Sequence, residues 1–162
     1  MAIHEGQPAG IALKPENTSG SAKGPAWEHF EHRADIGVRG YGADLADAFA
    51  AAGQALTAIV TDPARVRPEV TLKVHCDEAD PELLFIDWLN LVIYEMAVRR
   101  MLFSEFAVTI DPGGRLRATM RGEALDRSRH EPAVEIKGAT FTALDVHQRQ
   151  DGSWIAQCVV DV

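Results

Sequence analysis

The stretch from Asp80 to Val98 constrains the fold of this chain more than any other. Asp80-Pro81 opens it, with an aspartate able to cap free N–H groups and a proline whose missing N–H costs nothing in a first turn. From Leu83 to Met96, Leu, Ile, Val, Phe, Trp and Met then surround most of a helix's circumference. Such a helix must be largely buried, so it needs structure on more than one side. It carries Asp87, Asn90 and Glu95, and it is too short and too polar to cross a bilayer. Asp87, Asn90 and Tyr94 lie three and four residues apart and share one stripe. That polar stripe has two readings: partners among loops and strand ends, or a face turned to a cleft or a second protein.

The rest of the chain supplies the layers. Leu45, Ala48, Phe49, Ala52, Leu56 and Ile59 fall at helical spacing, which predicts a first helix from about Asp44, its cap, to Thr61, before Asp62-Pro63. Two short strands are expected on either side of Arg33-Ala34, starting at Trp27, with Gly37, Gly40 and Gly42 marking a bend or bulge. Val70 to Cys76 alternates with period two, as a half-buried strand does. Beyond the second helix, segments near 101–110, 115–124, 133–146 and 153–161 read as strands. They are separated by Asp111-Pro112-Gly113-Gly114, by the polar stretch 126–132 and by a hairpin turn at Gln150-Asp151-Gly152. The expected fold is α+β: a single compact domain over residues 27–162, two helices packed on a mixed or antiparallel β-sheet. Residues 1–26 are rich in Gly, Pro, Ser and Lys without periodicity, which predicts a mobile tail.

Charge and side-chain chemistry then narrow the function. The 162 residues carry 24 acidic against 16 basic side chains, a net charge of −8. That balance does not suit a protein gripping a phosphate backbone unaided, so stable direct nucleic-acid binding is not expected. Arg115, Arg117 and Arg121 read as a solvated strand face, with a short basic path as the alternative. Cys76 and Cys158 lie far apart in apolar stretches, so neither a zinc ribbon nor a redox pair is spelled, and a reducing cytoplasm is the expected home. No apolar run of signal-peptide length follows Met1. His29 and His32 fall three apart on a strand and so point to opposite faces, which argues against zinc. His130 with Asp126 reads as a loop hydrogen bond before a catalytic dyad. No nucleophile elbow and no phosphate-cradling glycine loop is present.

One site remains. Asp35 stands where an apolar strand gives way to glycine, and the last strand runs apolar and alternating up to Asp161-Val162. If these strands are neighbours, the two aspartates and the Val162 carboxylate meet, and like charges so close call for a cation. A hard metal ion with oxygen ligands is the simplest candidate. The competing readings are a turn-capping carboxylate at Asp35 and a strand end that frays into solvent at Asp161.

Several motifs in register resemble the archease family. Glu31-His32-Arg33-Ala34-Asp35-Ile36-Gly37 is similar to its His-Thr-Ala-Asp-Ile-Gly signature, and Leu45 to Ala52 to its first helix. Leu83-Leu84 with Asp87-Trp88-Leu89-Asn90 resembles the hallmark of its second helix. Gly122-Glu123, Asp126 and His130 follow, then Glu135 to Phe141, similar to Val-Lys-Ala-Val-Thr-Tyr, and a close on Asp161-Val162 in place of Asp-Ile. The resemblance spans about residues 27–162. It implies an activator, not an enzyme: a protein that promotes guanylylation and turnover of the manganese- and GTP-dependent RNA ligase of tRNA splicing and RNA repair. It also implies a metal site of Asp35, Asp161 and the Val162 main-chain carboxylate, for calcium first, with magnesium or manganese as alternatives. Glu31, His32, Asp87, Asn90 and Lys137 are expected to support that site or to face the ligase. No small molecule beyond the metal is expected. Arg33 departs from the family's Thr, Thr142 from its His and Gly138 from its Ala. Two other readings stay open: a metal-dependent phosphoryl-transfer or hydrolytic enzyme on the same carboxylates, and a plain interaction module with a structural metal.

Overall fold

Burial on more than one side is what the second helix receives. A computed structural model describes residues 26–162, and in it two helices lie between two antiparallel sheets. The larger sheet has β1 (Trp27–His32), β2 (Asp35–Gly42) and β8 (Trp154–Asp161) in that order. On the far edge of β8 come β6 (Gly138–Ala139) and β7 (Asp145–Gln148). The smaller sheet has β3 (Val70–Asp77), β5 (Arg115–Ala124) and β4 (Met101–Ile110) in the order β3-β5-β4. Every strand pair among the described residues is antiparallel, so the mixed alternative is set aside. The tail predicted for residues 1–26 falls, except for its last residue, outside the described residues.

The helices form where their caps predict. In α1 (Leu45–Val60), Asp44 accepts from Asp47 N at 2.8 Å. In α2 (Pro81–Arg99), Asp80 accepts from Glu82 N at 2.8 Å, and Arg100 closes the helix in the left-handed region at φ 53. Buried residues appear on nearly every side of α1, from Ala48 to Val60. Gly40 and Gly42 of β2 let the α1 backbone approach the larger sheet, where a side chain would run into Ala48. On another side of α1, Gly53 rests against the Phe106 ring of β4. The glycines of β2 therefore serve close packing rather than the expected bend or bulge: β2 pairs with β8 without a break from Ile36 to Gly42.

Trp88, Phe49, Phe85, Phe103 and Leu56 are fully buried between the layers. Trp88 Nε1 donates to Phe49 O at 2.9 Å, which ties α2 to α1 and satisfies the indole. Each such side chain contributes about 2–3 kcal/mol of burial free energy. Cys158 is buried and Cys76 half-buried, both unpaired; desolvation pushes their thiols up to about 12 and about 11, so both behave as core groups. No helix among the described residues is long and apolar enough to cross a membrane.

Two expectations need correction. The strand predicted over 133–146 is broken into the short β6 and β7. Before them, Ala133 N donates to Val60 O at the end of α1, and between them the register against β8 advances by three residues. The backbone there finds partners in a helix end and a side chain, which period-two alternation cannot reveal. The polar stretch 126–132 folds a one-turn helix, α3 (Arg127–His130), capped by Asp126.

Candidate functional site

The register of the larger sheet brings the predicted carboxylates together. β2 and β8 pair up to Ile36 and Val160, and Asp35 and Asp161 are the next residue on each strand. Asp35 is also the partner of His32 on β1, and Asp161 the partner of Gly138 on β6. His32, Asp35, Asp161 and Gly138 thus form one row across four strands. Laterally opposed residues in such a row share a face and stand about 5 Å apart. Val38, Cys158 and Val160 are buried toward α1, so Asp35 and Asp161, of opposite parity, point to the other face of the sheet.

Further along that face the charges are matched. Arg39 Nη1 meets Glu28 Oε2 at 2.6 Å, Arg39 Nε donates to Gln157 at 2.7 Å, and the Arg39 guanidinium stacks on the Phe30 ring at 4.6 Å. Phe30 in turn fills the space above Gly37. Neither Asp35 nor Asp161 has an ion-pair or side-chain hydrogen-bond partner among the described residues, whereas the Asp161 carbonyl accepts from Lys137 N at 2.9 Å. His32 Nδ1, beside Asp35 in the row, is buried without a partner. Arg33 sits at φ 55 in the β1–β2 turn, exposed.

These residues fit a hard cation. Two side-chain carboxylates converge with no cation paired to them among the described residues, and Val162 follows Asp161 directly. Among the described residues no three His, Cys, Asp or Glu side chains cluster as a metal site, so Asp35 and Asp161 supply two donors and no third side chain joins them. Glu31 is not gathered in: it pairs with Ile36 and therefore points away from Asp35. Asp87, Asn90 and Tyr94 are exposed on one stripe of α2, as their spacing predicts, and Leu83, expected in the core, joins them at 37% exposure. Asn90 has a structural task, its Oδ1 accepting from Ala139 N of β6 at 2.9 Å. Arg115, Arg117 and Arg121 lie on the open face of the smaller sheet, where Arg121 meets Glu105 at 3.1 Å.

His29 and His32 point to opposite faces, as expected; His29 Nε2 donates to Ala55 O at 2.8 Å, and burial lowers its pKa. The expected contact between Asp126 and His130 is present in an unexpected sense. Asp126 N donates to His130 Nδ1 at 2.9 Å, so the proton sits on Nε2, which meets Glu123 Oε2 at 2.9 Å. Glu123 also accepts from Arg129 at 2.6 and 2.9 Å and from Arg67 N at 2.8 Å. The Arg129 guanidinium beside it holds its carboxyl down at about 2. This buried cluster knots the 63–69 loop to β5 and α3. The sequence names Glu123 only as a motif residue and His130 as a loop partner of Asp126; Arg129 and the connection are tertiary. Phe141, 65% exposed between β6 and β7, is a second feature that pattern does not reveal.

Comparison with known proteins agrees across this framework. The model of the archease protein family (MTH1598/TM1083) matches residues 27–162. "Protein archease" of Thermococcus gammatolerans is 39% identical over 141 residues, spanning 84% of this chain and 98% of its own length. That of Pyrococcus furiosus is 34% identical over 139 residues, with the same coverage. The solution structure of Methanobacterium thermoautotrophicum protein 1598 is similar at a TM-score of 0.75 and 29% identity. It covers 85% of this chain and 99% of that one.

Proposed function

The chain belongs to the archease family, and on that premise we propose that it is a metal-binding accessory protein that activates an RNA ligase. The ligase is the manganese- and GTP-dependent type that seals 3′-phosphate or cyclic-phosphate ends to 5′-hydroxyls in tRNA splicing or RNA repair. The protein promotes guanylylation and multiple turnover and is not itself the catalyst; it works in the cytoplasm.

The observation that carries this reading is the carboxylate row at the shared end of β2 and β8, which has no cation paired to it among the described residues. Like charges held in register on a rigid sheet offer their charge to a ligand of opposite sign. Asp35, Asp161 and the Val162 carboxylate would hold the ion, calcium first, with magnesium or manganese as alternatives. When bound, the ion would neutralise the cluster and cross-link two strand ends. The chain's own part is positioning: the β1–β2 turn sets Asp35, and the bond from Lys137 N fixes the Asp161 backbone. Such an oxygen-rich end complements an active site stocked with basic side chains and nucleotide-bound metal.

A guanylylation time course with a trace of cognate ligase tests the proposal. The protein is expected to raise both the rate and the number of turnovers, and Asp35→Ala to remove that stimulation while circular dichroism stays unchanged. Stimulation retained by Asp35→Ala, or ligation by this protein with no ligase present, would defeat it.

A further inference from the structure

The connection between β6 and β7 holds an aromatic side chain in solvent by construction. β8 pairs first with β6 and then with β7, but the register advances by three residues between them, so residues 140–144 bulge from the edge. The bulge is tied down throughout. Val159 N donates to Thr142 O at 2.9 Å, and Val159 O accepts from Thr140 N at 2.9 Å and Thr140 Oγ1 at 2.8 Å. Thr142 N donates to Thr140 Oγ1 at 3.2 Å, Leu144 N to Phe141 O at 3.2 Å, and Gln157 Nε2 to Ala143 O at 3.0 Å. Ala143, a residue with a Cβ, is held at φ 56. A loop bonded this thoroughly could have folded its one aromatic ring inward. Instead Phe141 is 65% exposed.

Its neighbours are informative. Ala139 N is bonded to Asn90 and Val146 N to Glu82, at 2.9 and 3.4 Å, so the bulge lies alongside the first half of α2. The exposed stripe of that helix carries Leu83, Tyr94 and Val98, at 37%, 59% and 55% exposure, with Asp87 among them. Thr140 bonds Val159, two residues along β8 from Asp161, a spacing of about 7 Å. The Phe141 loop thus borders the first half of α2 on one side and, through Thr140 and Val159, the end of β8 that carries Asp161; Asp87 on α2 and Glu135 are exposed.

We propose that Phe141 is the anchor of a protein–protein contact, with the Leu83–Tyr94–Val98 stripe as its flank and the carboxylate row at its rim. The partner is a protein face offering an apolar socket ringed by arginine and lysine. Charge decides among occupants. A second copy of this chain would bring the same carboxylates against each other, and RNA would bring phosphates to them; a basic protein surface gains from both features. An aromatic ring on a preorganised loop loses little freedom on binding, which is what a hot spot needs. The assignment rests on the function proposed above and adds which surface gives affinity. Phe141 holds the ligase, and Asp35 with Asp161 acts on it.

The test measures binding and stimulation separately, with purified cognate RNA ligase and wild-type, Phe141→Ala, Phe141→Tyr and Asp35→Ala proteins. Phe141→Ala is expected to raise Kd at least tenfold while its melting temperature and its stimulation at saturating concentration stay those of wild type. Phe141→Tyr should restore affinity, and Asp35→Ala should bind normally but not stimulate. If wild type binds and stimulates and Phe141→Ala binds within twofold of it, the anchor is wrong and the function stands. If wild type neither binds nor stimulates, both fall. Loss of self-association in Phe141→Ala by light scattering, with ligase binding intact, would overturn the proposal in favour of a homodimer. Loss of binding to a single-stranded RNA probe, with ligase binding intact, would overturn it in favour of nucleic acid.

Discussion

Two groups of carboxylates in this molecule have opposite surroundings. Glu123 is buried and has a partner at every turn: the Arg129 fork, the His130 imidazole and the Arg67 amide. Asp35 and Asp161 sit in one row with no side-chain partner among the described residues, one half-buried and the other exposed. The first arrangement uses up its charge inside the protein and stabilises a loop. The second leaves its charge available to something outside. A satisfied carboxylate near a histidine looks catalytic in a sequence, but here the unsatisfied pair is the better functional candidate.

The widest separation between the two groups should come from truncation. Glu123→Ala leaves His130, Arg129 and the Arg67 amide without their acceptor, and should cost about 3 kcal/mol, or roughly 10 °C in melting temperature for a domain of this size. An unchanged denaturation midpoint would remove Glu123 from its structural role.

Calcium should produce the next largest effect, at the other group. A divalent ion at one hundred times its Kd should stabilise wild type by about 2.7 kcal/mol by mass action. Asp35→Ala should lose that gain. So should a chain extended past Val162, because the added residue turns its carboxylate into a neutral amide. Thermal scans with and without calcium or manganese decide it, and an equal gain in the Asp35→Ala protein would refute the site. Extension before Met1 should leave the gain intact.

Acid should test the first group by a second route. The folded Glu123 carboxyl sits at about 2 against an ordinary value of 4.5. Its contribution is therefore fully present above about pH 4.5 and fades as the pH falls toward 2. Glu123→Gln should flatten the acid limb of a stability–pH curve.

The smallest effect expected is Asp35→Ala in the absence of metal, within about 0.5 kcal/mol of wild type, since a carboxylate without partners contributes little to stability. A loss of several kcal/mol in that variant would mean that Asp35 is structural and that the contrast drawn here is false.

Much of the framework was legible beforehand because its signals are local. Asp44 and Asp80-Pro81 announce their helices, alternation announces β3 and β5, and Asp151-Gly152 announces the last hairpin. Asp35 and Asp161 were legible as candidates only because each ends a strand. Strand parity, which sends Glu31 to the other face from Asp35, could not be read before the β1–β2 register was known. Leu83 was misplaced because the apolar circumference of α2 is not closed all the way round.

By itself the sequence determined the periodicities, the caps and the turn chemistry, since each depends on residues a few positions apart. It also spelled motifs dense enough to point to a family. What only the tertiary structure decided was adjacency across distance. β2 and β8 place Asp35 beside Asp161, some 126 positions apart along the chain. The 63–69 loop and α3 converge on Glu123, and a three-residue change of register turns Phe141 outward. Strand order and register follow from the packing of whole layers, in which every side chain takes part at once, so no local run of residues carries them.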